Sequence, residues 1–114
     1  MTTTTKFLLV YRNPVQTQRT PPSAAEMQAM LAQWQEWKTK FPAILDMGDA
    51  LLPTGRAIRA GVVTDGPTVE SKEIVSGYSI VQAADYDAAL AIAKACPILF
   101  MPGATIEVRQ LAGY

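Results

Sequence analysis

A turn in the middle of the chain is followed at once by acidic and basic side chains. The turn is Asp65-Gly66-Pro67, and Lys72 and Glu73 come shortly after it. A carboxylate can act as a general base where burial raises its pKa, and a lysine can bind the carboxylate of a ligand. We therefore take Asp65 as the one candidate catalytic residue. Gly66, Pro67, Lys72 and Glu73 are candidate ligand-binding residues.

The same stretch also has a structural interpretation. Asp65 can accept hydrogen bonds from nearby backbone N–H groups, Gly66 can adopt an unusual φ, and Pro67 fixes the direction of the chain. The charged residues that follow can equally form a solvated face. If Asp65 stays ionised beside Arg56 or Lys72, it can instead bind a polar group of a ligand, which makes Arg56 a further candidate. The sequence leaves these alternatives open.

The composition excludes several classes of site and partner. There is no histidine, which removes the usual general base and the usual zinc ligand. The single cysteine, Cys96, precludes an intramolecular disulfide. Ten basic and ten acidic side chains balance, whereas a nucleic-acid-binding protein normally carries a basic excess. We expect no metal, no cofactor and no nucleic-acid partner.

Length and apolar patterning predict a single domain, 1–114, with residues 1–5 flexible. Residues 1–6 lack the apolar stretch of a signal peptide. No apolar run approaches the ~20 residues that span a bilayer. We therefore expect a cytoplasmic protein that does not contact a membrane.

Periodicity and capping signals predict two helices and several strands. Residues 7–11 are apolar throughout, which is typical of a strand buried on both faces. Ser23 and Glu26 form a capping box, and Pro42 ends the helix that follows. We expect that helix to pack into the core through Met27, Met30, Leu31, Trp34, Trp37 and Phe41.

The remaining elements follow from turn and cap residues. Two short strands around Ala60-Gly61 predict a hairpin, and Gly77 in the next strand indicates close approach of another group. Asp85 can cap the second helix. The predicted ranges are 74–83 for that strand, 85–95 for the helix and 105–111 for the last strand. We expect the second helix to bury Tyr86, Ala89, Leu90 and Ala93.

This order of elements predicts an α+β fold, a ferredoxin-like β-α-β-β-α-β sandwich with an inserted hairpin. Two helices cover only one face of the sheet, yet the first strand is apolar on both. We therefore expect a homodimer in which two copies pack sheet to sheet.

Aromatic residues extend the candidate site. Tyr11 and Tyr78 fall in neighbouring central strands, where their hydroxyls can reach one cavity. Tyr11 can line a cleft with Trp34, Met47 and Asp65, between sheet and helices or at the dimer seam. Core packing with satisfied hydroxyls is nevertheless the favoured interpretation of both tyrosines. Cys96 lies at a helix C-terminus, which does not activate a thiol, so we expect it to be a core residue.

The chain resembles the YCII-related family, and within it the DGPF-type branch. Members typically read DGPF followed by an ETKE-like segment, and this chain matches at Asp65, Gly66, Pro67, Glu70, Lys72 and Glu73. Thr68 stands in place of the Phe, and Ser71 in place of the usual Thr. Further similarity lies in Gly77-Tyr78, Ala95-Cys96-Pro97 and Ile106-Glu107-Val108-Arg109.

The resemblance implies a bacterial protein with the fold of a dimeric α+β barrel. It also implies an activity that is largely undefined. A His-Asp pair attributed to some relatives has no counterpart here. Two functions are compatible with the sequence. One is binding of a small polar or aromatic molecule near the turn, with metal-independent acid-base chemistry of a lyase or isomerase if it is an enzyme. The other is a non-enzymatic regulatory or protein-interaction module, because DGPF-type proteins occur beside sigma-factor regions.

Overall fold

The computed structural model describes residues 4–15, 22–67 and 73–113. Within these residues it contains two α-helices, six strands and a short 3-10 helix. In chain order they are β1 (Thr5–Pro14), α1 (Ala24–Lys40), β2 (Ile44–Asp46), β3 (Arg56–Arg59), β4 (Val62–Asp65), β5 (Glu73–Ala83), α2 (Tyr86–Lys94), the 3-10 helix (Pro97–Phe100) and β6 (Thr105–Gln110).

The main sheet has the order β2-β5-β1-β6, and every neighbouring pair is antiparallel. The first and second strands of each β-α-β unit are therefore parallel and separated by a third strand. This is the ferredoxin-like arrangement, so the predicted α+β class is confirmed. β3 and β4 pair with each other in a separate two-stranded sheet, the predicted insertion.

The core lies on the face of the sheet that the helices cover. Side chains alternate between the two faces of a strand, and on β1 the inward positions are Phe7, Leu9 and Tyr11. Ser79 and Val81 occupy the matching positions of β5 and are fully buried. β1 begins at Thr5, inside the segment expected to be flexible, while residues 1–3 lie outside the described part of the chain.

Helix α1 starts as predicted but packs over only part of its length. The Ser23 hydroxyl accepts from the Glu26 N–H, and the Glu26 carboxylate accepts from the Ser23 N–H. Residues 24–33 are nevertheless all exposed, and within the helix only Trp37 is fully buried. The expectation of a core stripe along the whole helix was wrong for Met27, Met30 and Leu31. The physical reason is length, since the helix extends past the core that it covers.

Helix α2 is capped by Asp85, whose carboxylate accepts from the Ala88 N–H at 2.9 Å. Ala89 and Ala93 are buried as predicted, and small side chains let the helix lie close to the sheet. Ile92 is buried in place of Leu90, which is exposed. The predicted stripe was therefore wrong at Leu90 and right at Ala89 and Ala93, because the buried face lies slightly to one side of the predicted one. Tyr86, also exposed, rests its ring edge-on against Phe7, with the ring centroids 4.8 Å apart.

The segment after β2 crosses close to the backbone of β5. Gly48 has φ +72°, and Ala50 forms an isolated antiparallel bridge with Gly77. A Cβ on Gly77 would lie 2.9 Å from the Asp49 carbonyl oxygen, which confirms the close approach predicted at this glycine. This crossing carries the chain from the main sheet to the β3–β4 hairpin.

Gly48 and Gly61 form a matched pair for testing this crossing. Both have positive φ, but only at Gly48 would a Cβ clash, 1.8 Å from the Tyr78 carbonyl oxygen. Gly61→Ala should lower the free energy of unfolding by ~1 kcal/mol, the cost of the left-handed conformation. Gly48→Ala should cost at least ~3 kcal/mol, in the range of severe core defects. Urea denaturation of both variants checks this, and equal losses would contradict the close crossing.

Candidate functional site

A hydroxyl–thiol cluster lies in the core between the sheet and the helices. The Tyr11 hydroxyl donates to the Ser79 Oγ at 2.5 Å, and the Ser79 hydroxyl donates to the Met47 carbonyl oxygen at 2.6 Å. The Cys96 thiol donates to the Tyr11 hydroxyl oxygen at 3.5 Å. Each of these three side chains therefore has a polar partner, as buried polar groups require.

Two indoles cover this cluster on the helix side. The Trp34 ring lies 5.9 Å from the Tyr11 ring and meets the Trp37 ring edge-on at 5.5 Å, measured between centroids. The Trp37 N–H donates to the Ile92 carbonyl oxygen at 3.0 Å, which ties α1 to α2. The structure thus brings together Tyr11, Trp34 and Met47, three of the residues predicted to line a cleft.

Burial keeps both acidic groups of the cluster neutral. It raises the pKa of the Tyr11 phenol far above its usual value, and the neighbouring Cys96 raises it further. Burial also raises the pKa of the Cys96 thiol. A neutral thiol is a poor nucleophile, so the geometry agrees with the prediction that Cys96 is a core residue.

Tyr78 does not join this cluster. It pairs with Val10 in the antiparallel register, whereas Tyr11 pairs with Gly77, so the two tyrosines lie on opposite faces of the sheet. The expectation that both hydroxyls reach one cavity was therefore wrong. The reason is the strand pairing, because side chains one residue apart point to opposite faces.

The Asp65-Gly66-Pro67 turn lies at the end of β4, on the separate hairpin. The Asp65 carboxylate forms an ion pair with the Arg56 guanidinium, with 3.3 Å between Oδ1 and Nε. The Asp65 side chain is 96% exposed. Gly66 has φ +82°, and its N–H donates to the Gly55 carbonyl oxygen at 2.7 Å, which continues the pairing of the two hairpin strands past Arg56 and Asp65. The predicted partnership of Asp65 with Arg56 is present, and Lys72 lies outside the described residues.

The ion pair shares one face of the hairpin with two apolar side chains. Arg56 pairs with Asp65 and Ile58 with Val63, and these four side chains point the same way by strand alternation. Ile58 is 72% exposed and Val63 is 59% exposed. A charged pair therefore sits beside an exposed apolar surface, a combination that composition alone did not indicate.

The open face of the main sheet carries a second charged group. The Glu107 carboxylate accepts from Arg12 at 3.1 Å and from Arg109 at 3.2 Å. These hydrogen bonds, that from Arg109 foremost, lower the pKa of Glu107. Arg12 and Arg109 thus both bind the carboxylate of a neighbouring strand residue. Glu73 begins β5 opposite Pro14, at the far end of the same sheet.

Sequence reasoning missed Ser79, which joins Tyr11 to the Met47 backbone. Its signal was present in β5, where a serine occupies an inward position between Gly77 and Val81. A shallow groove of about 150 Å³ was also missed; it lies between α1 and the 3-10 helix, beside Trp37 and Phe100. Neither feature includes the turn residues.

The family model of the YCII-related domain matches residues 7–112 of the chain. The chain belongs to the YCII-related family. A comparison with curated proteins finds no match. No helix in the part of this YCII-related chain that the structure describes is long and apolar enough to cross a membrane.

The core position of Cys96 predicts a slow thiol. Native protein should react with Ellman's reagent at least ~100-fold more slowly at pH 8 than protein unfolded in urea, because the thiol is buried and neutral. Its raised pKa also means that stability should fall as pH rises through the usual thiol range, since the unfolded chain ionises first. Cys96→Ala is the control for the pH effect and should remove that loss. A native rate close to the unfolded rate would contradict the buried position.

Proposed function

We propose that this protein is a homodimer that binds a small polar or aromatic molecule beside the Asp65-Gly66-Pro67 turn. The observation that carries the proposal is the hairpin face on which the Arg56–Asp65 ion pair adjoins exposed Ile58 and Val63. Ligand sites typically combine an apolar lining with a few polar groups that fix orientation. The guanidinium can bind a carboxylate or carbonyl of the ligand, and the apolar pair can contact a ring.

The surface area supports self-association. The chain exposes 8440 Å², whereas a compact monomer of 12.3 kDa exposes about 6100 Å². The radius of gyration is 15.7 Å, against about 13 Å for a compact domain of this length. The difference in area exceeds the ~800 Å² that each partner buries in a standard interface. A second copy would remove this excess from water.

The open sheet face supports a sheet-to-sheet arrangement. Leu8, Val10 and Ile80 lie on this face with Tyr78, and all four are only partly buried in the single chain. Both helices lie on the other side, so a second sheet is the economical cover. The charges of Glu107 and its two arginines at one edge of the face would fix the register of the two copies.

Any chemistry at the turn would be carried by Asp65. In the single chain its carboxylate is solvated and held by Arg56. Exclusion of water by a partner or ligand would strengthen it as a base, and Arg56 would stabilise negative charge that forms on the substrate. Metal-independent proton transfer, as in a lyase or isomerase, is the reaction class that this pair supports.

A second candidate function is a non-enzymatic module that binds another protein, with a regulatory role. The observation that favours it is the exposure of Asp65, because solvated charge beside exposed apolar residues is typical of protein interfaces as well. In this case the turn is architectural, and the hairpin face contacts a protein.

The homodimer is tested by sedimentation at micromolar concentration. We expect a dimer for the unaltered chain and a monomer for Val10→Glu, since a charge on the open sheet face would be buried without a partner. Gln28→Glu places the same charge on the exposed polar side of α1 and should leave the dimer intact. A monomeric unaltered chain, or a dimeric Val10→Glu, would count against sheet-to-sheet packing.

Ligand binding is tested by an NMR screen of small carboxylic and aromatic compounds. Arg56→Gln and Asp65→Asn should each weaken a bound compound at least ~10-fold while the dimer persists. Arg59→Gln is the matched control, because Arg59 lies on the opposite face of the same hairpin. If compounds bind equally to Asp65→Asn and to the unaltered chain, the turn is a structural corner. A screen without any binder would favour the protein-interaction function.

A further inference from the structure

We propose that the β3–β4 hairpin of one copy packs against the exposed half of α1 in the partner copy, so that the site at the turn is built from two chains. This inference rests on the proposed homodimer and specifies a contact that sheet-to-sheet packing alone does not supply. The occupant of each surface is a second copy of this chain.

Within the part of the chain that the structure describes, the hairpin lacks a supporting surface. An isolated two-stranded hairpin is only marginally stable in water, and stable ones pack against a helix or further strands. β3 and β4 have exposed residues throughout except at Ala57, which is partly buried. The connecting turn is also weak, because Ala60 adopts φ 49°, where glycine or asparagine is preferred. A hairpin of this kind needs another surface to hold it.

The first half of α1 likewise has no covering surface among the described residues. Met27, Met30 and Leu31 are 52%, 41% and 61% exposed and lie on one side of the helix by their spacing. An amphipathic helix gains most of its stability by burying such a stripe. The capping box at Ser23 shows that the helix is specified from its first turn, although its own sheet does not cover this part.

The two surfaces are both apolar and can adapt to each other in shape. Ile58 and Val63, which share one face of the hairpin, are compact β-branched side chains. Methionine adapts its shape to such partners.

Twofold symmetry explains why the occupant is a second copy. Both surfaces are exposed on the same chain, so neither covers the other within it. In a twofold dimer each hairpin meets the partner's α1, so the contact forms twice and covers both surfaces of each chain. The excess surface of the single chain is large enough for this contact and the sheet-to-sheet contact together.

In this arrangement the α1 helix of the partner subunit would bound one side of the space beside the Arg56–Asp65 pair. The pair lies on the hairpin face that carries Ile58 and Val63. When that face meets the partner's α1, the space beside the ion pair is bounded by Met30 and Leu31 of the partner subunit. A ligand would then contact the polar pair of one chain and the apolar stripe of the other, and the single chain would have only half a site.

Disulfide trapping tests the contact directly. Val63→Cys and Met30→Cys are made in separate chains, which are refolded together and oxidised mildly; native Cys96 is buried and stays unpaired under these conditions. The expected product is a covalent dimer that joins position 63 of one chain to position 30 of the other, identified by mass. Two control mixtures are Thr64→Cys with Met30→Cys and Val63→Cys with Ala32→Cys. Each moves one thiol to the opposite face of its element.

We expect the test mixture to yield at least ~5-fold more covalent heterodimer than either control. Sedimentation of the unaltered chain distinguishes a failure of the hairpin contact from a failure of the homodimer. If the chain is a dimer but the test mixture yields no more than the controls, the hairpin contact is wrong and the homodimer stands. If the chain is a monomer, both are overturned.

Discussion

The antiparallel pairing of β1 with β5 is the constraint on which the rest of the structure depends. It aligns Phe7, Leu9 and Tyr11 with Val81, Ser79 and Gly77 on one face, and these residues form the floor of the core. A shift of one residue would turn every inward side chain outward. The register also brings Tyr11 to Ser79, and thereby fixes the polar cluster and the segment at Met47 that hydrogen-bonds to it.

The same constraint divides the candidate residues into separate places. Tyr11 and Trp34 belong to a satisfied core cluster, while Arg56 and Asp65 belong to a hairpin in solvent. In one chain these groups do not form a site together. The large exposed area of the single chain is the basis for proposing a second copy. The proposed contacts would assemble the site by association rather than by folding alone.

Many features of the fold could be predicted because their signals are local. Ser23 and Glu26 specify the start of α1, Asp85 specifies the start of α2, and Ala60-Gly61 marks the hairpin. The continuous apolar run at residues 7–11 identifies β1. These signals depend on a few neighbouring residues, so they hold whatever the rest of the chain does. For the site, the sequence predicted the turn in the same way, and it offered Arg56 as one of two possible partners of Asp65.

Local patterns thus established the order and type of the elements, the ferredoxin-like class and the polar character of the turn. The tertiary structure alone decided that Met27 and Leu31 stay exposed, because their burial depends on how far α1 extends beyond the sheet. It also decided that Tyr78 faces away from Tyr11, because strand register is set by contacts distant in sequence. Residue patterns record which side chains prefer burial; only the packed chain determines which of them find a surface to be buried against.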